Sequence, residues 1–485
     1  MVRALYSGVS GLKVHQSRMD VIGNNIANVN TVGFKSSQVT FSDVLYQTTS
    51  AASGPDEDTG RAGVNPKQIG LGANFASVKT TMDATGGSQR TDNPFDLMIE
   101  GDGFFIVNNG ATNLFTKAGS FTLDANGTLC TASGYSVMGW QVDPKNPTEI
   151  KADTVSALHV MSAENMYSEP EATTAVHFEG NIDSADSDLA GTGRVTNFTF
   201  YDSLGQSYTV QMLVKQNTQA DSLIKSEYTV AITDVLDSTG QSIFVKKVVD
   251  DATGDISYEL NDTISEVTLG DFSFDATAVD EETGVPTLSC NDLPVLSFNP
   301  ATGKMVNIGS EDGVQSLTFH IPMNGDHPFK DINVDFSALT MYANSGKTTI
   351  EGSKGGLDNL GKGRTAGNMS GVTIDNAGKI YGVYDNGVSK LLGQVVVAKF
   401  ANNSGLEAVG NSLFAESQNS GEFDGIGEDI TMSGGKFNVG VLESSNVDLA
   451  SEFTDMITTQ RGFQANSRII TTSDTLLEEL INLKR

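Results

Sequence analysis

The sequence predicts a mainly β protein with an α-helix at each end. Three observations predict this fold class: helical periodicity in the first and last segments, short apolar runs bounded by turn signals between them, and an acidic central block. The chain has 485 residues, of which 51 are glycine, and only 38% are hydrophobic. A glycine-rich and weakly hydrophobic composition is typical of turn-rich β structure.

The first helix is predicted over residues 1–33. Its apolar seam repeats every three or four residues, about 3.5 on average, which is the period of a coiled coil. Gly8 and His15 also lie on this seam, and Gly33 is a plausible stop signal. The apolar seam residues expected to pack within and between subunits are Leu5, Leu12, Met19, Ile22, Ile26 and Val29.

The second helix is predicted over residues 441–485, with the same alternation of steps of four and three. Gln460, Ser467 and Asp474 are polar positions on its seam, which cost stability but fix register. A pair of ordinary helices packed on a core is the alternative interpretation. The apolar seam residues are Leu449, Phe453, Met456, Phe463, Ile470, Leu477 and Ile481.

The interior reads as short strands joined by tight turns. Turn signals follow apolar runs at Asp124–Gly127, at Asp375–Gly378 and at Asp385–Gly387. Gly101 and Gly103 precede a buried strand that begins at Phe104. This pattern predicts β domains between the two helices.

The uneven distribution of charge along the sequence indicates where the domain boundaries lie. Residues 146–340 carry eight basic and 31 acidic residues, a net charge of −23. So acidic a block is expected to face water as a domain inserted between two halves of another. The predicted parts are an N-terminal helix over 1–33, an extended linker over 34–70, the first half of a β domain over 71–145, an inserted acidic β domain over 146–340, the second half over 341–440 and a C-terminal helix over 441–485.

Several classes of function are excluded by composition. The chain has 30 basic and 60 acidic residues, a net charge of −30, which disfavours nucleic acids and anionic membranes as partners. No run approaches the roughly 18 apolar residues that span a bilayer. The first eight residues lack the features of a cleavable secretion signal, so we expect the chain to remain in the cytoplasm or to leave by a route that keeps its N-terminus.

The sequence predicts no catalytic residues, no cofactor and no metal site. Cys130 and Cys290 are expected to be unpaired thiols, although a disulfide between them stays open, and the five histidines are far apart. Residues 361–367 resemble a phosphate-binding loop but lack its ending and spacing, so a flexible connector is expected there. Asp124–Gly127 offers oxygen ligands without a calcium loop around them, so a hairpin turn is expected.

Long segments near both ends of the chain resemble one family. Residues 24–35 and 36–47 are similar to the N-terminal signature of bacterial flagellar rod and hook proteins, and residues 95–105, 367–375, 443–449 and 460–467 resemble later segments of that family. The residues that carry the resemblance are Asn24, Asn25, Asn28, Asn30, Gly33, Phe34, Gly101, Gly103, Ser444, Asn446, Val447, Asp448, Gln460 and Arg461.

The resemblance implies a structural role without catalysis. Proteins of this family polymerise outside the cell into the curved, flexible hook that couples the motor to the filament. Their terminal helices form a coiled-coil inner layer, a discontinuous β domain lies outside it, and an inserted β domain lies outermost. Export by the flagellar type III apparatus would leave the N-terminus uncleaved. The implied partners are further copies of the chain, the hook cap, the distal rod, the hook–filament junction proteins and the export apparatus.

Three alternatives remain at this point. A distal rod protein shares both terminal signatures but is expected to lack so large an insertion. A carbohydrate-active enzyme would need aromatic platforms, whereas the chain has one tryptophan and 7% aromatic residues. A surface adhesin would use the acidic block for binding, and such a role is compatible with a hook.

Overall fold

The structure, a computed structural model, describes residues 2–55, 60–143, 145–217, 226–249, 256–280, 283–309, 311, 313–323 and 327–483. The chain forms two compact units. The first comprises Met1–Met166, Ser370–Val383 and Ser389–Arg485, and the second comprises Tyr167–Met369 and Tyr384–Val388. The prediction of a mainly β protein with a helix at each end is confirmed.

The two terminal α-helices are long, and a short α-helix between them in the sequence is a single turn. Helix α1 is Val2–Ala27, α2 is Ser187–Ala190 and α3 is Leu449–Asn482. Asp448 caps α3, because its carboxylate accepts the Ala450 N–H at 2.9 Å. Helix α1 ends six residues before Gly33, so Val29 lies in the turn that follows the helix. The cause is local: the Asn28 side chain donates to the Asn24 carbonyl at 2.9 Å, an interaction that competes with continued helix.

Twelve strands are described in the portion of the first unit that precedes Tyr167 in the sequence. Residues predicted as a linker form antiparallel ribbons instead: β1 pairs with β4, and β2 pairs with β3. The strands are β1 (Ser37–Asp43), β2 (Tyr46–Ser50), β3 (Lys67–Gly70), β4 (Ala73–Thr80), β5 (Ser88–Arg90), β6 (Leu97–Glu100), β7 (Phe104–Asn108), β8 (Asn113–Thr116), β9 (Phe121–Leu123), β10 (Leu129–Thr131), β11 (Ser136–Gln141) and β12 (Ser156–Ala157).

Two large sheets contain most of the strands that the structure describes in the second unit. Their strand orders are β22-β21-β20-β25-β26-β14-β27 and β15-β16-β17-β23-β24. The strands are β13 (Tyr167–Ser168), β14 (Ala175–Asn181), β15 (Arg194–Tyr201), β16 (Ser207–Gln216), β17 (Glu227–Leu236), β18 (Val245–Val249), β19 (Ile256–Leu260), β20 (Glu266–Leu269), β21 (Phe272–Val279), β22 (Pro286–Ser289), β23 (Val295–Phe298), β24 (Met305–Ile308), β25 (Ser316–His320), β26 (Ile332–Thr340) and β27 (Thr349–Lys354).

The chain then returns to the first unit and completes its sheet. Part of the strand order is β28-β29-β30-β11-β7-β8-β33-β32. Strands that precede the second unit in the sequence therefore pair with strands that follow it. The returning strands are β28 (Gly367–Ile374), β29 (Lys379–Tyr384), β30 (Ser389–Val395), β31 (Val397–Ala398), β32 (Glu407–Gly410), β33 (Leu413–Ala415), β34 (Lys436–Val439) and β35 (Val441–Glu443).

One turn design recurs in both units. The Asp124 carboxylate accepts the Asn126 and Thr128 N–H groups at 3.0 and 2.7 Å, and Gly127 takes a positive φ of 74°. Asp202, Asp237 and Asp375 accept two backbone N–H groups in the same way. Because the aspartate satisfies the turn backbone and the glycine adopts the left-handed conformation, the spacing Asp-x-x-Gly is sufficient to form each hairpin.

The boundaries of the second unit lie further along the chain than the predicted 146–340. Residues 146–166 pack with the first unit, since β12 pairs with β11 and the Leu129 N–H donates to the Leu158 carbonyl at 2.9 Å. Residues 341–366 belong to the second unit, because β27 pairs with β14. The acidic composition marks the block but does not resolve these strand pairings.

Candidate functional site

The two terminal helices pack against each other in antiparallel orientation. Gly8 of α1 faces Ile470 of α3, and a Cβ built at Gly8 would lie 3.0 Å from Ile470 Cγ1. Further along α1, a Cβ at Gly11 would lie 2.5 Å from Asn466 Nδ2. Gly462 likewise faces His15, and a Cβ built at Gly462 would lie 2.6 Å from His15 Nε2. The small residues therefore allow the two helices to approach closely.

The surface between the helices is largely polar. Arg18 and Asp455 form an ion pair at 2.9 Å across it. His15 Nδ1 and Thr459 Oγ1 are buried there without a hydrogen-bond partner in the described part of the chain. Burial first, and then the charge of Arg18, lowers the pKa of His15 below its ordinary value. Such an interface contributes less apolar burial than a leucine seam would.

The predicted apolar seam of α3 coincides only in part with the face that packs on α1: Ile470 faces Gly8, but other members of the seam do not face α1. Leu449, Phe453 and Phe463 are 38%, 50% and 41% exposed, and Ile457 is also exposed. Of the predicted set, Met456, Ile470 and Leu477 are half-buried, while Ile481 is exposed. The physical reason is that Thr459, Gly462, Asn466 and Ser473 face α1, so the apolar row points elsewhere.

The seam of α1 is closer to the expectation. Ile22 is buried, and the remaining helical members of the predicted set are half-buried: Leu5, Leu12, Met19 and Ile26. Val14, which was not predicted, is 5% exposed. The ribbon of β1 and β4 also packs on this helix, since the His15 ring meets Phe41 edge-on at 6.4 Å between centroids. Helix α1 therefore packs on both α3 and the β1–β4 ribbon.

Two asparagines, the buried Asn25 and the half-buried Asn446, join the helices to the β part of the first unit. Asn25 Nδ2 donates to the Ser37 carbonyl and to Glu452 Oε1, both at 2.8 Å, and its Oδ1 accepts the Ser37 N–H at 3.0 Å. Asn446 Oδ1 accepts the Ser36 N–H at 2.7 Å. The Asn446 amide nitrogen donates to the Thr81 carbonyl at 3.0 Å. The N-terminal and C-terminal segments are therefore fixed to each other at this junction.

A buried charge cluster lies beside the asparagines. Lys35 Nζ is 2.7 Å from Glu443 Oε1 and donates to the Ala84 carbonyl at 2.7 Å. The Gly86 N–H donates to the same Glu443 oxygen at 2.9 Å. Lys117 is 4% exposed, and burial, with a smaller contribution from Lys35, lowers its pKa to about 8.

The structure brings most of the family signature residues into this junction. Gly33, at φ 66°, donates its N–H to the Glu443 carbonyl at 2.8 Å, and a Cβ there would lie 2.6 Å from the Ala118 nitrogen. The Ser444 N–H donates to the Gly87 carbonyl at 2.8 Å, and the Asn446 N–H donates to the Phe34 carbonyl at 3.4 Å. The other signature residues at the junction or at the adjoining helix ends are Asn24, Asn28, Val447 and Asp448.

Five signature residues lie outside the junction. Gly101 and Gly103 form the turn between β6 and β7, where Gly103 at φ 128° would place a Cβ 2.8 Å from Val397 Cβ. Asn30, Gln460 and Arg461 are exposed.

Lys35, Glu443 and Lys117 were not predicted to have a role. The available signal was that Lys35 and Glu443 each adjoin a signature segment and carry opposite charges.

The other candidate sites hold structural side chains. Lys362 follows Gly361 in a loop, and its carbonyl accepts the Thr173 hydroxyl at 2.9 Å. Both cysteines are free, and Cys290 donates its thiol to the Asp292 carbonyl at 2.8 Å. Within the described ranges, no group of three or more metal-ligating side chains is present. None of the helices described here is long and apolar enough to cross a membrane.

Family profiles match consecutive parts of the chain. The flagella basal body rod protein profile matches residues 5–35, and the flagellar hook protein FlgE/F/G D1 domain matches 98–163. The flagellar basal body protein FlaE D2 domain matches 165–355. The flagellar basal body rod FlgEFG protein C-terminal profile matches 438–483.

Full-length relatives show the same similarity. The flagellar hook protein FlgE of Treponema pallidum is 34% identical over 495 residues, and that of Borreliella burgdorferi is 34% identical over 498, each alignment covering 100% of both chains. The flagellar basal-body rod protein FlgG of Bacillus subtilis is 27% identical over 485 residues, again covering 100% of both. A solved structure of Helicobacter pylori flagellar hook protein FlgE2 covers 73% of this chain and 100% of its own at 14% identity, and its TM-score of 0.35 is too low to support a conclusion.

Proposed function

Because this chain belongs to the flagellar hook protein family, we propose that it is a structural subunit of the flagellar hook. Many copies assemble into the curved, flexible tube that transmits torque from the rod to the filament. The chain performs no catalysis in this role. Its other partners are the hook cap, the distal rod, the hook–filament junction proteins and the flagellar type III apparatus that exports it. It acts at the cell exterior.

The observation that carries this proposal is the exposed apolar row on α3. Leu449, Phe453, Ile457 and Phe463 lie on a helix whose own partner face is polar. Fully burying one such side chain stabilises an assembly by roughly 1.5 to 3 kcal/mol, and about half of that remains to be gained where half of the side chain is already covered. An apolar row of this kind marks an interaction surface. In a polymer every subunit gains this burial.

The two units have different roles in the proposed tube. The helices α1 and α3 form its inner layer, and the β sheet of the first unit forms the middle layer. Most of the second unit lies within residues 146–340, whose net charge of −23 resists burial in a subunit interface. The junction of Asn25, Asn446, Lys35 and Glu443 holds the inner layer to the middle one.

A rod subunit is the second candidate, since the relative named FlgG aligns with the whole chain. The size of the inserted unit therefore does not separate hook from rod, contrary to the expectation from the sequence. The higher identity, 34% against 27%, favours the hook.

Deletion of the gene followed by electron microscopy of isolated basal bodies tests the proposal. A hook subunit predicts complete rods without hooks, and motility that returns when the chain is expressed again. Truncated rods would instead support the rod role. Normal hooks in the deletion strain would overturn both.

A further inference from the structure

Helix α1 has an exposed face that neither α3 nor the β1–β4 ribbon covers. Tyr6, Val9 and Lys13 follow each other at steps of three and four, so they share one side of the helix. Tyr6 and Val9 are 69% and 44% exposed, and Lys13 is exposed. This side points away from Gly8 and Gly11, which face α3. We refer to Tyr6, Val9 and Lys13 as the basic face.

The last turns of α3, together with Leu483 directly after the helix, carry a face of complementary composition. Leu476, Glu479, Leu480 and Leu483 occupy positions i, i+3, i+4 and i+7, so they also share one side. All four are exposed. We refer to these residues as the acidic face. Asp474 and Glu478 add two further negative charges on the same turns.

The charges of both faces have no ion-pair partner among the residues that the structure describes. Lys13 forms no ion pair among the residues that the structure describes, and the same holds for Glu479. Arg18, which lies on the other side of α1, does have a partner in Asp455. The unpaired charges are therefore the ones that point away from the helix pair.

On the basis of the proposed function, we propose that the basic face of one copy packs on the acidic face of a second copy, with Lys13 beside Glu479. The two faces differ, so one copy offers each to a different neighbour. Contacts of this head-to-tail kind do not close at a dimer and extend into an open helical polymer. The same pairing repeats at every subunit.

The relative direction of the two helices follows from the helix pair. Helices α1 and α3 are antiparallel within one copy. In a tube whose copies share one direction, α1 of one copy is therefore antiparallel to α3 of the next. With Lys13 beside Glu479, a step of four residues back along α1 brings Val9 beside Leu483, so apolar side chains meet next to the ion pair.

Charge reversal in the full chain tests this pairing. We expect Lys13→Glu and Glu479→Lys each to raise the lowest concentration at which the purified protein polymerises by about three- to tenfold at low salt. The double variant restores the wild-type concentration, because the pair is re-formed with its charges exchanged. Lys304→Glu makes the same charge change at an exposed position directly before β24 in the second unit and leaves the concentration unchanged. Failure of the double variant to recover would overturn the pairing.

Cross-linking separates contacts between copies from contacts within one copy. Two single-cysteine chains, Val9→Cys and Leu483→Cys, are made with Cys130 and Cys290 replaced by serine and are then co-assembled and oxidised. A disulfide-linked dimer of the two chains is expected, and a mixture of Val9→Cys with Thr454→Cys serves as the control without a dimer. Absence of the dimer in assembled polymer would overturn this inference alone, whereas absence of hooks in cells that express the wild-type chain would overturn the proposed function.

Discussion

Lys35 and Glu443 are 408 residues apart in sequence, yet their side chains form a 2.7 Å ion pair in which each is 1% exposed. The contact joins the segment that follows α1 to the segment that precedes α3. Glu443 also accepts the Gly86 N–H, while its second oxygen, Oε2, is buried without a partner among the described atoms. The pair is therefore sensitive to the loss of either member.

Removal of the Lys35 ammonium is expected to destabilise the first unit strongly. Lys35→Met keeps most of the side-chain volume but leaves the Glu443 carboxylate buried and uncompensated, which typically costs about 3 to 5 kcal/mol. Urea unfolding of the full chain measures the loss. Lys399→Met is the matched control, because its 2.6 Å pair with Glu428 is partly exposed and should cost less than about 1 kcal/mol. Equal losses for the two variants would contradict the prediction.

Lys117 is expected to make stability rise at alkaline pH. Its pKa is about 8 when folded, below the ordinary 10.5, because burial disfavours the ammonium. Between these values the unfolded chain binds more protons than the folded one, so the free energy of unfolding increases with pH. The gain relative to Lys117→Met should be roughly 2 to 3 kcal/mol between pH 8 and pH 10.5. Denaturant titrations at both pH values test this, and parallel pH profiles for the two proteins would refute it.

Gly33 is expected to tolerate no side chain. In Gly33→Ala the residue must keep a φ of 66° while its Cβ lies 2.6 Å from the Ala118 nitrogen, so the loss should reach about 3 kcal/mol or more. Gly387→Ala is the control, since Gly387 has a φ of 81° but open space around the position. There only the conformational cost of about 1 kcal/mol remains. Similar melting temperatures for the two variants would show that the close approach at Gly33 is relieved.

The apolar row of α3 is expected to affect assembly more than folding. Phe453→Ala removes a ring that the monomer already covers by half, so monomer stability should fall by no more than about 1 kcal/mol. The lowest polymerising concentration should rise about tenfold, because each subunit loses on the order of 1.4 kcal/mol of burial. Sedimentation of the polymer and thermal unfolding of the monomer separate the two effects.

Two further variants are compared with Phe453→Ala, one expected to be more severe and one expected to have no effect. Ile470→Asp places a charge against Gly8, so it should reduce both the helix content of the monomer and its assembly. Lys362→Ala should change neither. Normal polymerisation of Phe453→Ala would show that the row is not a contact surface, and loss of function in Lys362→Ala would require a ligand site in that loop.

The first unit is expected to fold without the second. Trp140, the single tryptophan of the chain, donates its indole N–H to the Ile426 carbonyl at 2.7 Å and so reports on the first unit. When a short Gly/Ser linker replaces residues 167–369, the emission maximum and the unfolding midpoint of Trp140 should be retained. A red-shifted emission or aggregation would contradict the independence of the two units.

Local sequence patterns predicted which helices and turns form better than they predicted which side of each helix is packed. The Asp-x-x-Gly turns at Asp124 and Asp375 were predictable because aspartate and glycine act within five residues. The existence of both helices followed from periodicity. The orientation of α3 did not, because the seam was assigned to apolar side chains such as Phe453, whereas Gly462 and Asn466 allow the closer approach to α1.

Pairings across the whole chain lay beyond sequence reasoning. The signature segments and opposite charges of Lys35 and Glu443 do not by themselves make the two neighbours, since their contact depends on the path of the intervening chain. The same limit applies to the start of the second unit at Tyr167, which is set by the pairing of β12 with β11 rather than by a change in charge.

The place where the chain enters and leaves the second unit has a mechanical consequence. Strands β14 and β27 are antiparallel neighbours, and the chain enters and leaves beside the paired residues Glu171 and Arg364, whose side chains are 2.6 Å apart. A load carried along the polymer can therefore cross from one side of this pair to the other without stretching the sheets beyond it. Tension across the pair would open the strands one hydrogen bond at a time, as a zipper opens. The second unit can thus change in size or sequence between related proteins while the load path through Glu171 and Arg364 stays the same.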